Sequence, residues 1–303
     1  MQLYLITGFL GAGKTTFLKN FIRLFADQKI FLLINEFGKA GVDGALLKEM
    51  DATLSEINNG SIFCACRLDK FEQVLSEAIS QRPDVILVEA SGLADPTNIR
   101  KVLANTAYSA IEYKGSVCLV DVTRFEKIAK TARVCPKQLA VSSLALLNKT
   151  DLATKAHIEN TVRQIKEINP AIAMQQTSFG AFDAAWLALI VPQVVVEETN
   201  LGADITLQKA CITISAAMTS AQLHSLLAML AEDTYRMKGF VRLADGMHLV
   251  DCVGPMVQVA PYSGICNEAV SKIVLLAGKG MALRKSIQKA AAWYGEYVIE
   301  VEL

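Results

Sequence analysis

Eight consecutive residues, Gly8-Phe9-Leu10-Gly11-Ala12-Gly13-Lys14-Thr15, limit what this chain can fold into more than any other feature. They fit the pattern G-x-x-x-x-G-K-[ST]. An apolar run at 2–7 leads in, and a helical pattern leads out. In that setting the glycines let backbone N–H groups turn inward as a nest for phosphate oxygens, and the next helix aims its positive end at the same anion. Lys14 would reach the terminal phosphates, and the Thr15 hydroxyl would ligate Mg²⁺. Gly8, Gly11, Ala12, Gly13, Lys14, Thr15 and Thr16 are the expected phosphate-binding set.

The first half of the chain supplies the sheet such a loop needs. Residues 29–35, 85–89, 116–121 and 144–148 are short, near-continuous apolar runs, as in strands buried on both faces. Helical patterns fall between them at 15–26, 69–81 and 155–169, the last stopped by Pro170. The expected fold class is α/β, a P-loop NTPase with a mostly parallel sheet flanked by helices. A linker at 196–208 would separate a nucleotide domain, 1–195, from a smaller α+β domain, 209–303. In the latter, 209–215, 240–243, 247–253, 256–260, 273–276 and 296–301 read as strands, and 220–231 and 281–292 as helices.

Asn148-Lys149-Thr150-Asp151 stands at the carboxyl end of one apolar run, the edge where open α/β sheets bind ligands. The Asp151 carboxylate can accept from both N1–H and the 2-amino group of guanine, and adenine has neither donor there. Asn148 can engage the O6/N7 edge, with the stem of Lys149 over the ring. The same four residues could instead be a polar N-cap before the next helix; after a phosphate loop, guanine recognition is the expectation.

Composition narrows the classes further. Lys plus Arg and Asp plus Glu each total 30, so no net positive charge points to a nucleic-acid partner. No apolar stretch approaches the length of a membrane span, and no basic leader precedes the first strand. Seven cysteines, an odd number thinly spread, argue for reduced thiols and a cytoplasmic location.

Three more segments carry a resemblance. Ile34-Asn35-Glu36-Phe37-Gly38, with Gly41-Val42-Asp43, follows the second strand. Val88-Glu89-Ala90-Ser91-Gly92-Leu93-Ala94-Asp95-Pro96 follows the third, and Tyr235-Arg236-Met237-Lys238-Gly239-Phe240 opens the strand cluster of the second domain. Together with the two nucleotide motifs, the chain resembles the CobW-type family of GTPases, relatives of the urease and hydrogenase nickel-insertion GTPases. The resemblance implies GTP/GDP and Mg²⁺ as cofactors. It implies that Glu89 holds Mg²⁺ through water, that Gly92 meets the γ-phosphate, and that 36–43 is the first switch. Catalysis would fall to Lys14, Thr15 and Glu89, with slow hydrolysis of GTP to GDP and phosphate.

The resemblance also implies a metallochaperone, with Zn²⁺ or another transition metal as cargo and a client metalloprotein as partner; it allows a GTP-dependent homodimer. The family's Gly-Cys-x-Cys-Cys metal pattern is altered here. Aligned on Gly60, Ser61 and Phe63 occupy the first two cysteine positions, Cys64 matches, and Cys66 is extra. Lys39 replaces an acidic residue common in the first switch. Cys64 and Cys66, with an oxygen from Glu36, form the candidate cargo set, though a cysteine pair can equally pack as small apolar side chains. Two readings stay open: a chaperone that delivers zinc, cobalt or iron, and a GTP-gated activator of a cofactor-dependent protein, such as a corrinoid protein, with no cargo of its own. The other cysteines read as core filler or surface thiols, and His248, Arg236 and Lys238 as structural polar residues.

Overall fold

The structure, a computed structural model, describes residues 1–34, 52–56, 68–193, 207–263, 271–278 and 280–303. The chain divides into two compact units, Met1–Ala203 and Asp204–Leu303.

The first unit is built on a seven-stranded sheet in the order β3-β2-β4-β1-β5-β6-β7, with every pairing parallel. Its strands are β1 Gln2–Gly8, β2 Ile30–Ile34, β3 Ala52–Glu56, β4 Val85–Glu89, β5 Glu112–Asp121, β6 Leu144–Asn148 and β7 Ala173–Gln176. The helices are α1 Lys14–Phe21, α2 Leu68–Gln81, α3 Ile99–Leu103, α4 Phe125–Thr131, α5 Val134–Ala140 and α6 Lys155–Ile168. Alternation along β1 sends Tyr4 and Ile6 into a core with Phe17, Leu18 and Phe21 of α1, and Leu3 and Leu5 into a second core with Phe71 and Leu75 of α2. Phe17 and Phe21 lie one helical turn apart with ring centroids 4.9 Å apart, and Tyr4 meets Phe21 edge-on at 5.7 Å. This aromatic stripe fixes α1, and with it the loop that α1 begins.

Five strands coincide with the apolar runs; β3 and β7 do not. They are the two sheet edges, and Thr53, Ser55, Gln175 and Gln176 break the apolar pattern there. The helix expected over 15–26 is α-helical only to Phe21 and continues as a 3₁₀ turn, Ile22–Phe25.

The second unit is an antiparallel six-stranded sheet, β11-β10-β9-β12-β8-β13. Its strands are β8 Leu207–Ile214, β9 Arg236–Leu243, β10 Gly246–Val253, β11 Val259–Pro261, β12 Lys272–Gly278 and β13 Val298–Glu302. Helices α7 Ser220–Leu230 and α8 Leu283–Tyr294 share a core with one face of it. Strand β8 starts inside the stretch expected as linker. The strand expected at 256–260 begins later, at Val259, because Met256 closes a turn back onto Val253. His248 is buried against the Gly246 carbonyl (3.2 Å), and Arg236 pairs with Asp251 at 3.3 Å. No helix among the described residues is long and apolar enough to cross a membrane.

Candidate functional site

The polar residues singled out by sequence gather at the carboxyl ends of β1, β4, β5 and β6, the edge where a parallel sheet presents ligand-binding loops. Gly13 opens α1 with φ +99°, and a Cβ on it would stand 2.4 Å from the Asn148 amide nitrogen. Only glycine satisfies both the backbone and the close approach. Lys14 is buried, and its ammonium donates to the carbonyls of Gly8 (3.0 Å) and Phe9 (3.2 Å), spanning the loop it belongs to. Thr16 faces solvent at the start of the helix.

Glu89 ends β4 in register with Ile6 of β1 and is only 2% exposed. Its Oε1 accepts from the Thr15 hydroxyl at 3.2 Å, so the two expected Mg²⁺ residues meet across the loop. A buried carboxylate beside a hydroxyl suits a hard cation with oxygen ligands. The chain then turns back at Ala94, whose N–H reaches the Ser91 carbonyl. Gly92 is buried against the phosphate loop, where a Cβ would come within 2.6 Å of the Leu10 nitrogen.

At the other end, the amide of Asn148 donates to the Ala12 carbonyl (2.8 Å) and accepts from the Gly180 N–H (3.1 Å). The structure thus shows Asn148 joining the phosphate loop to the segment after β7. Lys149 sits at φ +65°, and its ammonium is 2.6 Å from Asp121 Oδ2. Asp121 is itself fixed by Thr123, which donates to Oδ1 from N–H (3.0 Å) and hydroxyl (2.6 Å). The Lys149 stem is thereby pinned at both ends. Asp151 is exposed; its N–H donates to the Ser178 hydroxyl (3.2 Å), and its carboxylate takes no hydrogen bond among the described residues.

The 177–180 segment is a part of the site that sequence reasoning missed. Thr150 donates to the Thr177 carbonyl at 3.0 Å, and Asn20 of α1 donates to the carbonyls of Phe179 (3.1 Å) and Gly180 (2.9 Å). These bonds hold Phe179 at φ +55° with its ring 75% exposed, an unfavourable backbone and an unfavourable exposure together. The only sequence signal was Ser178-Phe179-Gly180 as a turn; the edge strand before it gave no warning. Asp121 was visible only as a strand end.

Cys118 and Cys135 are buried, and burial pushes both thiols up, Cys135 to about 12 and Cys118 well above its ordinary value, its neighbour Cys135 adding to the shift. Protonated thiols of this kind are core packing, as expected. Among the described residues no group of three or more metal-ligating side chains occurs. Glu36, Lys39, Ser61, Phe63, Cys64 and Cys66, with all of 36–43 expected as the first switch, lie outside the described residues.

Comparison with known proteins adds the following. The family model described as CobW/HypB/UreG, nucleotide-binding domain, matches residues 2–176, and that of the cobalamin synthesis protein cobW C-terminal domain matches 207–291. The zinc chaperone YeiR of Escherichia coli (strain K12) is 36% identical over 158 residues, 50% of this chain and 47% of its own length. The zinc chaperone YjiA of the same organism is 28% identical over 191 residues, 60% of this chain and 59% of its own. The zinc chaperone CobW of Sinorhizobium sp is 34% identical over 178 residues, 48% of this chain and 50% of its own. The chain thus spans about half the length of the curated relatives it matches. Among solved structures, Zn(II)-bound YjiA GTPase from E. coli is 19% identical, covering 97% of this chain and 98% of that one at a TM-score of 0.49.

Proposed function

Because the chain belongs to the CobW-type GTPase family, we propose that it is a GTP-driven metallochaperone that passes a metal ion to a client metalloprotein in the cytoplasm. One observation carries the nucleotide half of this reading. The phosphate loop, the buried Glu89–Thr15 pair and the open Asp151 carboxylate beside the pinned Lys149 stem all meet at one sheet edge. The metal half is supported by relatives named as zinc chaperones.

The chemistry follows from the parts. Asp151 accepts from N1–H and the 2-amino group of guanine, Lys149 covers the ring, and Asn148 keeps base and phosphate loops in register. Lys14 exchanges the Gly8 and Phe9 carbonyls for phosphate oxygens, while loop N–H groups and the N-terminus of α1 meet the remaining charge. Thr15, and Glu89 through water, would hold Mg²⁺, which neutralises charge developing on the β- and γ-phosphates. Neither 36–43 nor 89–96 contains a glutamine to orient the attacking water, so turnover is slow, as suits a switch. Gly92 and its loop sense the γ-phosphate and, with the first switch, set whether Glu36, Cys64 and Cys66 grip their cargo. GTP-dependent pairing of two copies is the assembly expected to accompany this.

Zinc titration of the protein bound to a non-hydrolysable GTP analogue tests the chaperone reading. Cys64→Ser/Cys66→Ser should lose a bound zinc and keep its nucleotide affinity. Equal stoichiometry in both proteins would rule out cargo at this site. It would favour the activator of a cofactor-dependent, corrinoid-type protein, the reading to which Ser61 and Phe63 lend weight.

A further inference from the structure

Helix α5 reaches the loop after β4 with two adjacent side chains, neither of them in a nucleotide motif. Gln138 is fully buried, and its Nε2 donates to the carbonyls of Gly92 and Ala94, each at 3.2 Å. Lys137 places its ammonium 2.5 Å from Asp95 Oδ2. The other Asp95 oxygen accepts from the N–H (3.1 Å) and hydroxyl (2.6 Å) of Thr97 and so caps the 3₁₀ turn Pro96–Asn98. On its opposite side the loop lies on Leu10 through Gly92, with no room for a Cβ. The loop is therefore clasped between the phosphate loop and α5.

Helix α5 is anchored in turn. Asn169, at the end of α6, donates to the carbonyls of Leu139 (3.0 Å) and Ser142 (3.1 Å), and the hydroxyls of Ser142 and Ser116 lie 2.7 Å apart across to β5. The Gln138 carboxamide oxygen has no hydrogen-bond partner among the described residues, and Gln138 lines a small cavity with Phe9, Leu10 and Asp121. A buried, unsatisfied acceptor costs stability. What Gln138 contributes here is its donor side, the hold on Gly92 and Ala94.

We propose that Gln138 and Lys137 are positioning residues that hold the 91–96 loop against the phosphate loop in the arrangement that receives a γ-phosphate, so that α5 sets the preference for GTP over GDP. This rests on the GTP-switch reading above. Contacts to the base and to the α- and β-phosphates lie on other elements, so releasing the loop leaves them intact. An unheld loop spends less time in the competent arrangement, and apparent triphosphate affinity falls by that fraction.

Equilibrium binding of fluorescent GDP and of a fluorescent non-hydrolysable GTP analogue, with Mg²⁺ and the full chain, tests the proposal. Gln138→Leu, which removes two hydrogen bonds, should weaken the triphosphate analogue about tenfold and leave GDP within about twofold. Lys137→Met, at a partly exposed pair, should weaken the analogue about threefold, with recovery in Lys137→Arg. The lysine pair of variants carries the test alone if Gln138→Leu does not fold. Equal losses for di- and triphosphate, or no loss in any variant, would overturn the proposal. A wild-type protein that binds neither guanine nucleotide would instead overturn the reading beneath it.

Discussion

The two ends of the proposed nucleotide site are held in different ways. At the end proposed for the base, the fixing contacts join strand ends to the phosphate loop, the first helix and the 177–180 segment: Asn148 to Ala12 and Gly180, Lys149 to Asp121, Thr150 to Thr177, Asn20 to Phe179 and Gly180. Two non-glycine residues, Lys149 and Phe179, are kept at positive φ by that framework. At the phosphate end the 91–96 loop is held by side chains of a single short helix, through two hydrogen bonds and one partly exposed ion pair. A base, on the proposed reading, would be recognised by fixed shape, so strain there is tolerated. A loop proposed to sense a γ-phosphate has to move between arrangements, so its hold has to be modest.

Substitutions can break or sharpen that contrast. Lys14→Met strikes what both ends share; GTP and GDP should each bind at least about a hundredfold more weakly by calorimetry, since a buried charge-assisted contact to phosphate is lost. Retained affinity would mean that the phosphates are held elsewhere. Gly92→Ala acts at one end only. The added Cβ pushes the loop off Leu10, and the triphosphate analogue should weaken about tenfold while GDP does not change. Phe179→Ala acts at the other end, where the exposed residue next to Ser178, the partner of the Asp151 N–H, would offer its ring to the base under the proposed function. GTP and GDP should weaken equally, by about fivefold, the low end of base–aromatic stacking. If Phe179→Ala altered the GTP/GDP ratio, or Gly92→Ala did not, the division of labour between the two ends would be wrong.

How much of this was legible in the sequence depended on burial. Strands β1, β2, β4, β5 and β6 are covered on both faces and announce themselves as apolar runs. Strands β3 and β7 close the sheet, and their polar residues look like loop. Because β7 was invisible, so was the 177–180 segment it delivers to Asn148 and Thr150. The phosphate loop and Asp151 could be singled out because the chemistry expected of them needs particular residue types at short spacing, and Glu89 through the family resemblance. The clasp by Lys137 and Gln138 was not, since it joins residues more than 40 positions apart and uses ordinary helix surface chemistry. Asn148 shows a third case: the sequence singled it out for the O6/N7 edge of guanine, and the structure displays its amide tying Ala12 to Gly180.

The most direct test of a guanine-specific site is competition. GTP, ATP and xanthosine triphosphate would be titrated against fluorescent GDP on the wild type and on Asp151→Asn. Xanthine carries a carbonyl where guanine has its 2-amino group, so an amide at this position gains a partner in xanthine and loses one in guanine. The wild type should prefer GTP over ATP by at least about a hundredfold, and Asp151→Asn should lose most of that preference and gain xanthosine triphosphate binding. Displacement by ATP as readily as by GTP, or an Asp151→Asn protein with unchanged preference, would contradict the account.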